Sequence, residues 1–198
     1  MRDWIEPDWP APPGVRAVTT TRNHGVSTGP FRSMNPADHV GDDPAAVREN
    51  RARLASQLGL PSEPAWLRQV HGTRVVDAAG AAMSTEADAS WTDRGGVVCA
   101  VLTADCLPVL LCDREARCVA AIHAGWRGLA AGVIEATVAA LPTGDTELLA
   151  WLGPAIGAGA FTVGEEVREA FVAHDPGARE AFSPGPADRL QADLYRLA

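Results

Sequence analysis

The sequence predicts a single α+β domain. Three observations point to it: an apolar antiparallel hairpin in the second half of the chain, helical-period segments before and after it, and a composition able to bury one core. Of the 198 residues, 46% are hydrophobic and 21% charged, a balance that supports a packed interior and argues against a chain too polar to fold. No apolar run approaches the ~20 residues a membrane-crossing helix needs, so no membrane partner is expected.

The elements follow in order. Residues 16–22 (RAVTTTR) have the β-branched density of a strand. Then come more than twenty residues of turn formers from His24 to Pro44, and a loop of that length in a compact domain usually covers something. Asp43-Pro44 starts a helix, with Asp as N-cap and Pro in the first turn; Val47, Leu54 and Leu58 keep helical spacing until Gly59 stops it. Residues 65–78 read as two short strands broken at His71-Gly72.

The run VVCAVLTADCLPVLLCD is too long for one strand and contains Pro108, so it divides near Ala104-Asp105. Its second half, the turn Arg114-Glu115-Ala116 and the run RCVAAIHAG form the hairpin. Placing Cys112 opposite Arg117 sets Cys106 opposite His123, and a slip of one residue would send one of them to the other face. Residues 127–141 read as one helix ending at Pro142, residues 148–153 as a buried strand, and residues from about Gly164 to before Pro176 as a last helix.

The formal charge of −8 repels phosphate backbones and anionic lipid, and no basic patch opposes it, so nucleic acid is not expected as a partner. The N-terminal stretch MRDWIEPDWPAPPG lacks the basic start and apolar run of a secretory leader, which predicts a cytoplasmic protein. Cys99, Cys106, Cys112 and Cys118 fall within twenty residues with no CxxC pair, which fits thiols rather than a disulfide framework. Cys99, Cys112 and Cys118 sit inside apolar runs and read as core.

His71, Cys106 and His123 offer the mixed imidazole and thiolate donors of a catalytic zinc site that keeps a fourth position for water or substrate. Each ends an apolar run beside Gly or Asp, where rigid strands can project a side chain into an opening. The other reading is a buried small hydrophobe and two histidines bonded to backbone, and spacing alone leaves both open. Asp105 could orient a ligand, act as a base or cap a turn. Arg127 opens a helix in HAGWRG, where an anion such as phosphate is favoured, or pairs with a surface acid. Ser27, Asn35, His39 and Asp42 are candidate substrate contacts in the early loop, where local Asx and Ser turns also explain them. Trp126 reads as packing and His174 as a helix end.

The blocks GVSTGPFRSMNPADHVGDDP, QVHGTRVV, EADA, TADCLPVLL, HAGWRGLAAGV and LGPAIG, in this order, resemble the YfiH family, also known as domain of unknown function 152 or multicopper polyphenol oxidoreductase. The resemblance covers about Arg16 to the end. It implies that His71, Cys106 and His123 occupy the family's metal-binding positions. It also implies a layered α/β sandwich with mixed and antiparallel sheets, akin to the bacterial toxin-type cysteine hydrolases. The family pattern continues past DLYRLA into a further strand with another Cys and a Ser-Tyr-Arg-Arg block. The expectation is therefore one domain, residues 1–198, lacking the family's C-terminal segment.

For activity, the resemblance implies zinc-dependent purine nucleoside phosphorylase, with adenosine deaminase and methylthioadenosine phosphorylase activities, a laccase-like oxidase, or peptidoglycan editing. The leading expectation takes purine nucleosides and inorganic phosphate as substrates, with His71, Cys106 and His123 holding zinc and Ser27, Asn35, Asp105 and Arg127 contacting substrate. A metal-free Cys–His amide hydrolase is the alternative. Copper fits less well, because five histidines in all cannot furnish a trinuclear centre and a blue site.

Overall fold

The computed structural model describes residues 3–198. Met1 and Arg2, the start of the stretch judged not to be a leader, lie outside the described residues. The fold is α+β. Its centre is a five-stranded mixed sheet of β3 (Val75–Asp77), β4 (Ala89–Thr92), β5 (Leu107–Asp113), β6 (Val119–Ala124) and β7 (Leu148–Leu152), in the order β3-β4-β6-β5-β7. Only the β3–β4 pair is parallel. A two-stranded ribbon joins β1 (Trp4–Ile5) to β2 (Thr19–Thr20), and an antiparallel trio has the order β8 (Thr162–Val163), β10 (Leu190–Ala192), β9 (Phe182–Pro184).

The first helix forms where its signals stand. In α1 (Pro44–Leu58) the Asp43 carboxylate accepts from the Ala45 amide, and Gly59 closes the helix at φ 57°, a left-handed conformation that costs glycine little. Its inward stripe is Val47, Asn50, Leu54 and Leu58. No described helix is long and apolar enough to cross a membrane.

The hairpin is present, but its register differs from the expected one. Cys112 faces Val119 and Pro108 faces His123, a slip of two residues from the pairing of Cys106 with His123. The cause is the turn. Asp113 closes on Cys118 through backbone, and its carboxylate accepts from the amides of Arg117 and Cys118, so the connection is residues 114–117. A slip of two preserves the facing of every side chain. Continuing the observed register sets Cys106 across from Gly125.

Pro108 lies in a strand paired on both sides, where its missing N–H should leave an acceptor unmet. The Gly153 amide donates to the Pro108 carbonyl, and the Gly153 carbonyl takes its hydrogen bond from the Tyr195 hydroxyl instead. The proline is accommodated by a side chain from the far end of the chain.

Three other expectations are corrected. The helix over residues 127–141 is two, α2 (Trp126–Ala130) and α3 (Val133–Ala140), because Gly132 between them takes φ 90°. Of residues 16–22 only Thr19–Thr20 forms a strand, and residues 97–103 form none. The later helix, α4 (Glu165–Val172), starts after Gly164 as expected, and α5 (Leu194–Leu197) follows β10. Val133 from α3, Val167 and Phe171 from α4 and Leu194 from α5 join Leu107, Val109 and Ile122 of the sheet in one core. Burying each such side chain contributes about 1.5–3 kcal/mol, and this packing fixes the sheet end that carries the site. Cys112 and Cys118 are buried as expected, while Cys99 is half-buried.

Candidate metal centre

Three segments meet at one end of the central sheet. His71 sits in the turn after the isolated bridge at Arg68, with φ 59°, an uncommon conformation for a side-chain-bearing residue. Cys106 immediately precedes β5. His123 is the penultimate residue of β6. The Gln69 side chain ties the first two segments together, its amide donating to the Leu102 carbonyl and accepting from the Leu102 amide, both at 2.7 Å.

The three side chains converge. One ligand atom from each of His71, Cys106 and His123 lies within 4.8 Å of the others. The Cys106 sulfur is 3.9 Å from His71 Nε2, and the two imidazole centroids are 4.7 Å apart at 76°. Zinc bonds of ~2.3 Å to sulfur and ~2.1 Å to nitrogen, at a tetrahedral angle, set S and N about 3.6 Å apart. His71 is exposed, Cys106 half-buried and His123 buried, so the cluster has an inner wall and an open side.

Asp88 explains why the histidines stand where they do. It is fully buried immediately before β4, and its Oδ1 accepts from His123 Nδ1 and from the His71 amide, each at 2.8 Å. Its Oδ2 accepts from the amides of Gly72 at 2.7 Å and Val70 at 3.2 Å. With Nδ1 occupied, His123 has Nε2 free for a ligand bond. The spacing of residue types did not single out Asp88; its only sequence signal is an acid between alanines just ahead of a short strand.

The electrostatics suit a cation. Burial holds His123 below the ordinary imidazole range, outweighing the hydrogen bond to Asp88, with the charges of His71 and His39 acting the same way. A ring kept neutral is the form that binds metal. Burial, then the charges of Asp105 and Asp88, push the Cys106 thiol up, and a bound cation reverses that penalty. Two imidazole nitrogens and one sulfur form a donor set that fits zinc or another borderline-to-soft ion, with room for a fourth ligand.

A family model described as multi-copper polyphenol oxidoreductase laccase matches residues 16–198. The chain belongs to this family. A purine nucleoside phosphorylase of Pseudomonas aeruginosa is 57% identical over 199 residues, covering 100% of this chain and 81% of the relative. The purine nucleoside phosphorylase YfiH of Escherichia coli strain K12 is 52% identical, covering 100% of this chain and 82% of its own length. A solved DUF152-family protein of Neisseria meningitidis superposes with a TM-score of 0.92 at 52% identity, over 99% of this chain and 81% of that one. YlmD of Geobacillus stearothermophilus gives 0.82 at 29% identity, over 99% and 78%. The resemblance read from the motif blocks is thus borne out, and so is the α+β fold with mixed and antiparallel sheets.

The other candidates of this family member fall in two places. Asp105 is exposed beside Cys106, its carbonyl accepting from the Ile156 amide. Arg127 is exposed, with its guanidinium 4.4 Å above the Trp126 ring. Ser27 and Asn35 turn into the early loop instead. The Ser27 hydroxyl donates to Asp42 and accepts from Asn50, and Asn35 donates to Asp42 and accepts from the Ala37 amide. Asn50, fully buried on α1, also accepts from the Val26 amide and donates to the carbonyls of Ser33 and Asn35, so the loop is moulded onto the helix.

Proposed function

We propose that this chain is a zinc-dependent purine nucleoside phosphorylase, with His71, Cys106 and His123 as the ligands, that also deaminates adenosine and phosphorolyses methylthioadenosine. The observation that carries the reading is the convergence of those three donors beside an open face, in a chain more than half identical to two relatives named as purine nucleoside phosphorylases. Bound zinc would supply Lewis acidity for activating water or stabilising developing negative charge.

The chain's own residues divide the remaining work. In phosphorolysis a phosphate oxygen bonds to the anomeric carbon, the glycosidic C–N bond breaks, and the purine leaves with the bonding pair and takes up a proton. Arg127, exposed three residues beyond the end of β6, is positioned to hold the phosphate dianion. Asp105, next to Cys106, orients the sugar hydroxyls. Ser27 and Asn35 serve the substrate by fixing the shape of the early loop, which closes over the nucleoside. The substrates are small molecules, and neither nucleic acid nor a membrane enters the reading.

Incubation of the purified protein with inosine in phosphate buffer should release hypoxanthine and ribose 1-phosphate, and Cys106→Ala should abolish the release. Undiminished turnover in that variant would end the proposal.

A second reading has one observation in its favour. Asp88, His123 and Cys106 follow the order of orienting acid, base and nucleophile used by metal-free thiol hydrolases. Against it, an activated thiol has a depressed pKa, and the surroundings of Cys106 raise it. Amide hydrolysis that survives a strong chelator but is lost to iodoacetamide would favour this reading.

A further inference from the structure

We infer that Asp88 is the positioning residue of the metal centre, one buried carboxylate that fixes both the ring tautomer of His123 and the backbone of the turn that presents His71. The inference rests on the reading of His71, Cys106 and His123 as ligands.

The argument begins with the donors. Four N–H groups converge on the carboxylate, two on each oxygen: His71 N and His123 Nδ1 on Oδ1, Val70 N and Gly72 N on Oδ2. Three of them are consecutive backbone amides, so the carboxylate is the hub around which the chain turns at residues 70–72. His71 takes its left-handed φ of 59° at the middle of that hub, and the three backbone hydrogen bonds to the carboxylate hold the turn in that uncommon conformation. The fourth bond reaches across the sheet, where the His123 amide also donates to the Asp88 carbonyl at 2.7 Å. Asp88 therefore holds His123 by main chain and side chain together.

The chemistry requires a carboxylate and not merely a polar group. Every neighbour is a donor, so an amide at position 88 would turn its NH2 toward two N–H groups whichever way it flipped. If the NH2 faced His123, that ring would relieve the clash by moving its proton to Nε2, the nitrogen needed for the metal. If it faced Val70 and Gly72, the turn carrying His71 would open. Either outcome spoils one ligand while leaving Cys106 untouched.

The test is a cobalt titration of the full chain, read by the sulfur-to-cobalt charge-transfer band and by competition with a chromogenic chelator, on wild type, Asp88→Asn and Asp113→Asn. Asp113 is an equally buried acid that receives N–H donors at the opposite end of β5, so its variant controls for general destabilisation. Asp88→Asn should bind cobalt about 10- to 100-fold more weakly while retaining the sulfur band, and Asp113→Asn should bind as wild type does. Equal affinity in Asp88→Asn and wild type, or equal loss in both variants, would overturn the inference. If wild type takes up no cobalt, the ligand reading itself falls and this inference with it. A measurement on the unaltered protein covers the case in which Asp88→Asn does not fold: nitrogen NMR of 15N-histidine-labelled metal-free protein should show neutral His123 protonated at Nδ1, and protonation at Nε2 would contradict the role given to Asp88.

Discussion

The α-carbon of Gly125 faces the ring of His71 so closely that a methyl group added there would lie 2.7 Å from Cδ2, and 3.1 Å from the Cys106 sulfur. Gly125 has an ordinary φ of −68°, so its lack of a side chain serves space and not backbone freedom. Gly128 repeats the theme, since a methyl group on it would meet the Gly72 carbonyl at 2.8 Å. The spaced glycines of HAGWRG let the helix start and the His71 turn pack against each other.

Gly125→Ala should therefore displace His71 or Cys106 without disturbing the core beneath. A shift approaching 1 Å at a catalytic group costs up to about 100-fold in rate, so kcat/KM should fall by roughly 10- to 100-fold while the urea midpoint changes little. Wild-type kinetics in this variant would show that the close approach has no bearing on the site.

Asp113 gives the clearest pH dependence. Burial pushes its carboxyl up, but the Arg117 side chain and the amides of Arg117 and Cys118 outweigh it, and the net pKa is lowered from 3.8. A depressed folded-state pKa stabilises the protein above the unfolded value, and that contribution is lost as pH falls through the folded one. Asp113→Asn should cost about 1–3 kcal/mol at neutral pH through donors left unmet. Urea melts should find the gap between wild type and variant narrowing below about pH 4. A gap independent of pH would mean the charge of Asp113 contributes nothing.

Tyr195→Phe removes the hydroxyl that donates to the Gly153 carbonyl and accepts from the Ala155 amide, each at 2.9 Å. Because Pro108 cannot supply the missing donor, the loss should be about 1–2 kcal/mol. Equilibrium unfolding measures it, and metal content should stay at the wild-type level.

Asn50→Ala withdraws the buried amide that gathers Val26, Ser27, Ser33 and Asn35. Proteolysis between residues 26 and 42 should quicken, and KM should rise more than kcat falls, because the change frees the loop and leaves His71, Cys106 and His123 where they are. An unchanged cleavage rate would mean the loop is held by other contacts.

What the sequence made legible follows from how local each signal is. Asp43, Pro44 and Gly59 act on their own neighbours, so α1 could be read to the residue. The hairpin was legible from its apolar runs, but its register depends on the Asp113 carboxylate capturing two amides across the turn, which alternation does not encode. The two-residue error kept inward and outward faces right, and so Cys106 and His123 still read as neighbours. The break in residues 127–141 hangs on the positive φ of Gly132, and a glycine in an alanine-rich helical pattern does not announce its dihedral angle. Asp88 was illegible for a different reason: its role lies in four donors drawn from residues 70–72 and 123, none of them visible from the EADA block alone.

X-ray absorption at the zinc edge, on protein loaded to equivalence, examines the coordination of the ion itself. One zinc per chain with a single sulfur at ~2.3 Å and two imidazole nitrogens at ~2.0–2.1 Å is the result these residues require. A shell without sulfur, or the same spectrum after Cys106→Ala, would contradict the account.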